Sequence, residues 1–143
     1  MKKVYIIWIV LICISCKKDV STKDLVLLNG YWQIAKAENN AGDYKEYPIN
    51  EVYDFFEING TNGVHKKVVW QPTQKFLVND IEENIKVKNI KEEYFLQFSN
   101  RYGKHEEKLV SLTADEMVLS SLDNVKYYYK KVILEENQNG KKN

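Results

Sequence analysis

The chain begins with Met1-Lys2-Lys3 and an uncharged run from Val4 to Cys16, and then changes character twice. After the polar stretch Lys17-Lys18-Asp19, the sequence Ser21-Thr22-Lys23-Asp24 precedes Leu25-Val26-Leu27-Leu28. A serine with an acid three residues on, ahead of apolar positions, predicts a capped short helix, which Asn29-Gly30 ends. From there the apolar period shortens to two. Segments rich in Val, Ile, Tyr, Phe and Trp recur at about 31–38, 52–59, 63–71, 75–79, 84–89, 93–99, 104–111, 116–121 and 125–133. Short strands at regular spacing, with no long helix, predict an all-β domain whose antiparallel sheet closes or folds over on itself. Residues that tolerate positive φ mark several turns: Asn59-Gly60-Thr61-Asn62-Gly63, Asn100-Arg101-Tyr102-Gly103 and Asp123-Asn124. The connection from Glu38 to Glu51 is longer, and reads either as a lid or as a solvated loop.

Alternation assigns faces to most strands. Trp32 and Ile34 share one, as do Val68 and Trp70, Phe76 and Val78, Tyr94, Leu96 and Phe98, and Val125, Tyr127 and Tyr129. Segments 52–59 and 104–111 carry apolar residues at both parities, so their register stays open. An exposed patch drawn from Val52, Tyr53, Phe55, Phe56 and Ile58 would suit a partner surface. The residues expected to line an interior site are Trp32, Phe56, Val68, Trp70, Phe76, Tyr94, Phe98, Tyr127 and Tyr129. An interior enclosed by eight strands is just wide enough to be filled by side chains or to hold one small ligand, and large aromatics serve either outcome.

At 143 residues, 44% hydrophobic and 13% aromatic, the chain has room for one domain with a core. The expected division is 1–15 as a signal peptide, 16–24 as a tether, 25–134 as the β domain and 135–143 as a polar, disordered tail. The formal charge is +1, moving to −1 if Lys2 and Lys3 leave with the signal, and basic residues cluster only in pairs. No nucleic-acid partner is expected from that balance. Of the two histidines, His105 beside Glu106 and Glu107 could serve as a general base, though a surface histidine at a strand end is the commoner arrangement. No nucleophile elbow, phosphate loop, nucleotide fingerprint or metal-spaced His/Cys set occurs, so no catalysis, cofactor or metal is expected.

The 13-residue run from Val4 to Cys16 would rise roughly 20 Å as a helix, short of the roughly 30 Å hydrocarbon core. It therefore reads as an export signal. Within it, Cys13-Ile14-Ser15-Cys16 resembles a bacterial lipobox. The resemblance implies cleavage before Cys16, its lipidation by acyl chains such as palmitate, and attachment to the outer membrane of a cell envelope, on the periplasmic face or at the cell surface. Gly30-Tyr31-Trp32, following the short helix and opening the first strand, resembles the Gly-x-Trp signature of lipocalins. Residues 106–131 are similar to the closing hairpins of the short lipocalin-like lipoproteins of Bacteroidetes-type bacteria. This resemblance implies an up-and-down antiparallel barrel of about eight strands after a short N-terminal helix. It also implies that Trp32 seals the base under a cation from Lys130 or Lys131. The function implied is non-catalytic binding of a small apolar or amphiphilic molecule. The competing expectation is a structural lipoprotein whose filled barrel docks onto another envelope component.

Overall fold

The computed structural model describes residues 19–48, 51–70 and 76–133, with the side chains of residues 70 and 76–80 outside that set. A 3-10 helix, Thr22–Leu28, is followed by strands β1 (Gly30–Glu38), β2 (Tyr44–Glu46), β3 (Val52–Asn59), β4 (Asn62–Trp70), β5 (Phe76–Ile90), β6 (Glu93–Asn100), β7 (Gly103–Leu112), β8 (Glu116–Ser121) and β9 (Lys126–Val132). Each of β3 to β8 pairs antiparallel with the next, and β1 pairs with both β3 and β9. The sheet thus closes as an up-and-down barrel of eight strands, with β2 as a short flap beside β1. Closure leaves no long unpaired edge among the described residues.

The helix forms where the capping signal lies. Asp24 accepts hydrogen bonds from the Ser21 backbone N–H and hydroxyl at 2.9 and 2.8 Å, satisfying donors that a helix start otherwise leaves open. Leu25 and Leu28 are buried and plug one end of the barrel. Asn29 then fastens the plug to β3, its amide donating to the Ile58 carbonyl at 3.2 Å and its side-chain oxygen accepting from the Ile58 N–H.

Two elements differ from the sequence-based expectation. The segments expected at 75–79 and 84–89 fall, from Phe76 onward, in one strand, β5. On β4 the register advances from Lys66 to Val68 while on β5 it moves from Glu82 to Val78, so a bulge absorbs two additional residues and the ladder continues. The connection from Glu38 to Glu51 contains β2, which pairs with Lys36, Ala37 and Glu38 where β3 has left the edge of β1. The tight turns act as expected: Asn100 Oδ1 accepts from the Tyr102 and Gly103 N–H groups at 2.8 and 3.2 Å.

Register also settles the two strands that alternation leaves open. Asp54, Phe56 and Ile58 of β3 and Leu109 of β7 face the core. Phe55, on the other face of β3, packs against Tyr31 with ring centroids 4.9 Å apart, so the two rings cover each other outside the barrel.

Candidate functional site

The interior is built in layers, and the lowest is structural. Trp32 is fully buried and donates its indole N–H to the Leu28 carbonyl at 2.7 Å. Lys131 lies with its Nζ 4.4 Å from the centre of the Trp32 rings, and donates to the carbonyls of Leu27, at 2.8 Å, and Asn29. Of the two candidate cations, Lys131 takes this place, while Lys130 is exposed and pairs with Gln33 and Glu116 on neighbouring strands. Burial holds the Lys131 ammonium below its ordinary pKa, yet its ring contact and carbonyl partners keep the charge solvated by protein. Gly30 is required here. Its φ is +115°, and an added Cβ would come 3.1 Å from Lys131 Cε. Tyr94, also buried, shares a 2.7 Å hydrogen bond with the Thr22 hydroxyl. Trp32 and Tyr94 therefore belong to the sealed base.

Above the base lies a polar layer that sequence reasoning missed. His65, on β4 directly opposite Phe56, is buried between two carboxylates. Its Nε2 lies 2.7 Å from Asp54 Oδ1 and its Nδ1 2.9 Å from Glu83 Oε2. An ionised carboxylate only accepts, so the ring must donate at both nitrogens and carry the proton. Burial works against that charge, but the hydrogen bonds and charges of Asp54 and Glu83 prevail and raise the His65 pKa above its ordinary value. Phe56 and Phe98 pack against the ring, with centroids 4.7 and 5.5 Å from it. Phe98 in turn stacks on His105 at 4.7 Å.

Around this cluster, Glu83 Oε1 accepts from the Asn100 amide at 3.2 Å and lies 3.9 Å from His105 Nδ1. Lys67 reaches to 3.9 Å from Asp54 Oδ1. Glu107 of β7 and Tyr129 of β9 share this layer, and burial raises the pKa of each. Neither has a hydrogen-bond partner among the described residues. Because no fully enclosed side-chain nitrogen or oxygen among the described residues lacks a partner, the oxygens of Glu107 and Tyr129 must reach open space. Tyr127 stands one pleat nearer the mouth, opposite Leu119 and Ala37.

Of the residues expected to line the interior, the structure brings Phe56, Phe98, Tyr127 and Tyr129 to the polar layer and its rim. Val68 requires a correction. It pairs with Tyr53, on the face of β3 opposite to Asp54 and Phe56, and stands outside the main core cluster although buried. The inner positions of β4 are instead Gly63, His65 and Lys67, because β3 and β4 pair without a bulge. The side chains of Trp70 and Phe76 lie outside the described residues, as does Cys16. Glu83 was legible only as one charge among lysines, and the one signal for Asp54 was its alternation in phase with Phe56 and Ile58. Among the described residues no group of three or more His, Cys, Asp or Glu side chains is placed to hold a metal ion, and both His65 nitrogens are already engaged.

A groove of about 450 Å³ opens in the wall at the bulge of β1, lined by Ala35, Lys36, Tyr47, Pro48, Val118 and Tyr128 and reaching inward to Met117 and Tyr129. Lys36 Nζ sits 4.3 Å from the Tyr128 ring centre and 2.8 Å from Glu38 Oε2.

No family model and no curated protein matches the chain. Among solved structures it is similar to a lipocalin-like protein from Bacteroides uniformis, at 13% identity and a TM-score of 0.49 over 74% of this chain and 99% of that one. An uncharacterized protein from Bacteroides eggerthii is similar at 14% identity and a TM-score of 0.48, over 73% and 99%. Lobster apocrustacyanin A1 is similar at 14% identity and a TM-score of 0.47, over 82% and 68%.

Proposed function

We propose that this chain is a non-catalytic, membrane-anchored envelope lipoprotein whose barrel carries a small apolar or amphiphilic molecule. The observation that supports this reading is the difference between the two ends. The base is sealed by Leu25, Leu28, Trp32 and Lys131, whereas Glu107 and Tyr129 reach open space within the wall. A barrel filled only for stability gains nothing from unpartnered polar groups at that depth.

The anchor rests on the resemblance of Cys13 to Cys16 to a lipobox. Cys16 is three residues from Asp19, at most about 10 Å of extended chain, and Asp19 leads into the helix at the base. The sealed end would face the membrane and the mouth would open away from it, which suits a carrier that exchanges ligand with an aqueous space. Two or three acyl chains, at about 0.8 kcal/mol per buried methylene, hold such a protein stably.

Native mass spectrometry on the protein purified from its own envelope tests both parts. The expected result is acyl chains on Cys16 and a small molecule retained by the wild type but lost from the double variant Phe98→Ala, Tyr127→Ala. Acylation with an empty barrel, in protein that also takes up nothing from envelope extracts, would instead favour the second reading, a docking lipoprotein. The groove beside Tyr47 and Tyr128 is the specific feature that supports that alternative.

A further inference from the structure

The lumen carboxylates can be accounted for one by one. Asp54 is shared by His65 and Lys67. Glu83 is shared by His65, Asn100 and His105. Glu107 accepts no hydrogen bond among the described residues, and the two cationic rings whose charges reach it, His105 and His65, are each already set against Glu83. It stands on the inner face of β7, between Leu96 of β6 and Ser121 of β8. The Tyr129 hydroxyl is a second polar group in the same layer with no partner among the described residues, and it is close enough to feel the charges of Asp54 and Glu107. An inward carboxyl that reaches open space but meets no donor among the described residues is an acceptor left for a ligand.

We propose that the ligand is an amphiphile with a protonated amine head, seated on Glu107 and Tyr129 with its apolar part against the rings of Tyr127 and Tyr129. This rests on the carrier reading and names the chemistry of its site. The ammonium donates to the Glu107 carboxylate and to the phenol oxygen of Tyr129, supplying the hydrogen-bond donor that neither has among the described residues. An anionic head would meet Asp54, Glu83 and Glu107 together, with His65 already engaged on both nitrogens. A neutral alcohol could donate one hydrogen bond without balancing the charge. The raised pKa of Glu107 agrees, because burial outweighs the charges of His105 and His65 and favours the neutral acid until a donor cation arrives.

The test uses the full-length protein in lipid nanodiscs, with empty nanodiscs as the blank. It is titrated calorimetrically near neutral pH with n-hexylamine, n-hexanol and n-hexanoate, three probes that share one tail. Hexylammonium is expected to bind about tenfold or more tightly than hexanoate, with hexanol between them. Glu107→Gln should remove the preference for the amine over the alcohol while leaving hexanol within about twofold. Tyr129→Phe, which keeps the ring, should weaken the amine more than the alcohol. Equal affinity for all three probes, or a preference for hexanoate, would overturn the cationic site and leave the carrier standing. Failure of all three to bind folded wild-type protein would overturn the carrier reading as well. If Glu107→Gln does not fold, the wild-type series and Tyr129→Phe decide.

Discussion

His65 is the residue on which the interior turns. Its two hydrogen bonds, at 2.7 and 2.9 Å, require the imidazolium form, and its pKa is raised above the ordinary 6.5 by Asp54 and Glu83 against the opposing effect of burial. The folded state therefore binds this proton more tightly than the unfolded chain does. The stabilisation is complete below pH 6.5 and is lost as pH rises through the higher folded value. Glu107, its carboxyl pushed above the ordinary 4.5 by burial, contributes with the same sign, complete below that value and lost as pH rises through its own folded value. Urea midpoints should accordingly fall on the alkaline side of neutrality. His65→Gln should lower stability by about 3 kcal/mol near neutral pH, because two carboxylates lose their buried partner, and should flatten the alkaline decline. A wild-type midpoint that stays level through that range would show that the cluster does not hold the proton.

At the scale of elements, the local signals were largely readable. Ser21 with Asp24 placed the helix start, the asparagine and glycine pairs placed the hairpins, and aromatic alternation placed β6 and β9. The β3–β4 hairpin shows how closely such a turn is built. At Gly63, opposite Ile58, an added Cβ would run into the Glu57 carbonyl and lie 2.9 Å from Ile58 Cα. Gly63→Ala should therefore cost about 2 to 4 kcal/mol, measured by chemical denaturation. Gly42→Ala, where nothing lies within 4 Å of the new Cβ but φ is +89°, should cost about 1 kcal/mol through backbone strain alone. Equal losses at the two sites would contradict the close approach at Gly63. What could not be read was β2, whose three residues are all exposed and whose only strand partner is β1. The continuity of β5 was equally hidden, since Asn79-Asp80 reads as a break in any local window.

The whole molecule depends on one seam. β9 pairs along β1 from Tyr31↔Val132 to Glu38↔Lys126, and this ladder turns an open sheet into a barrel. Amide exchange should separate it from the flap. The amides of Trp32, Gln33 and Ile34 should exchange only with global unfolding, while those of β2 should exchange at least about a hundredfold faster. Comparable rates would mean that the seam opens independently of the rest. The sequence by itself determined that an antiparallel β domain forms and where it turns, because alternation, turn chemistry and capping act within a few residues of one another. Tertiary structure alone decided that Asp54, His65, Glu83 and Glu107 share one layer and that Lys131 rather than Lys130 meets Trp32. The physical reason is register. A slip of two residues in any ladder preserves every local pattern and every assigned face, yet it would disperse that layer. Only the packing of all eight strands around one core selects among such slips.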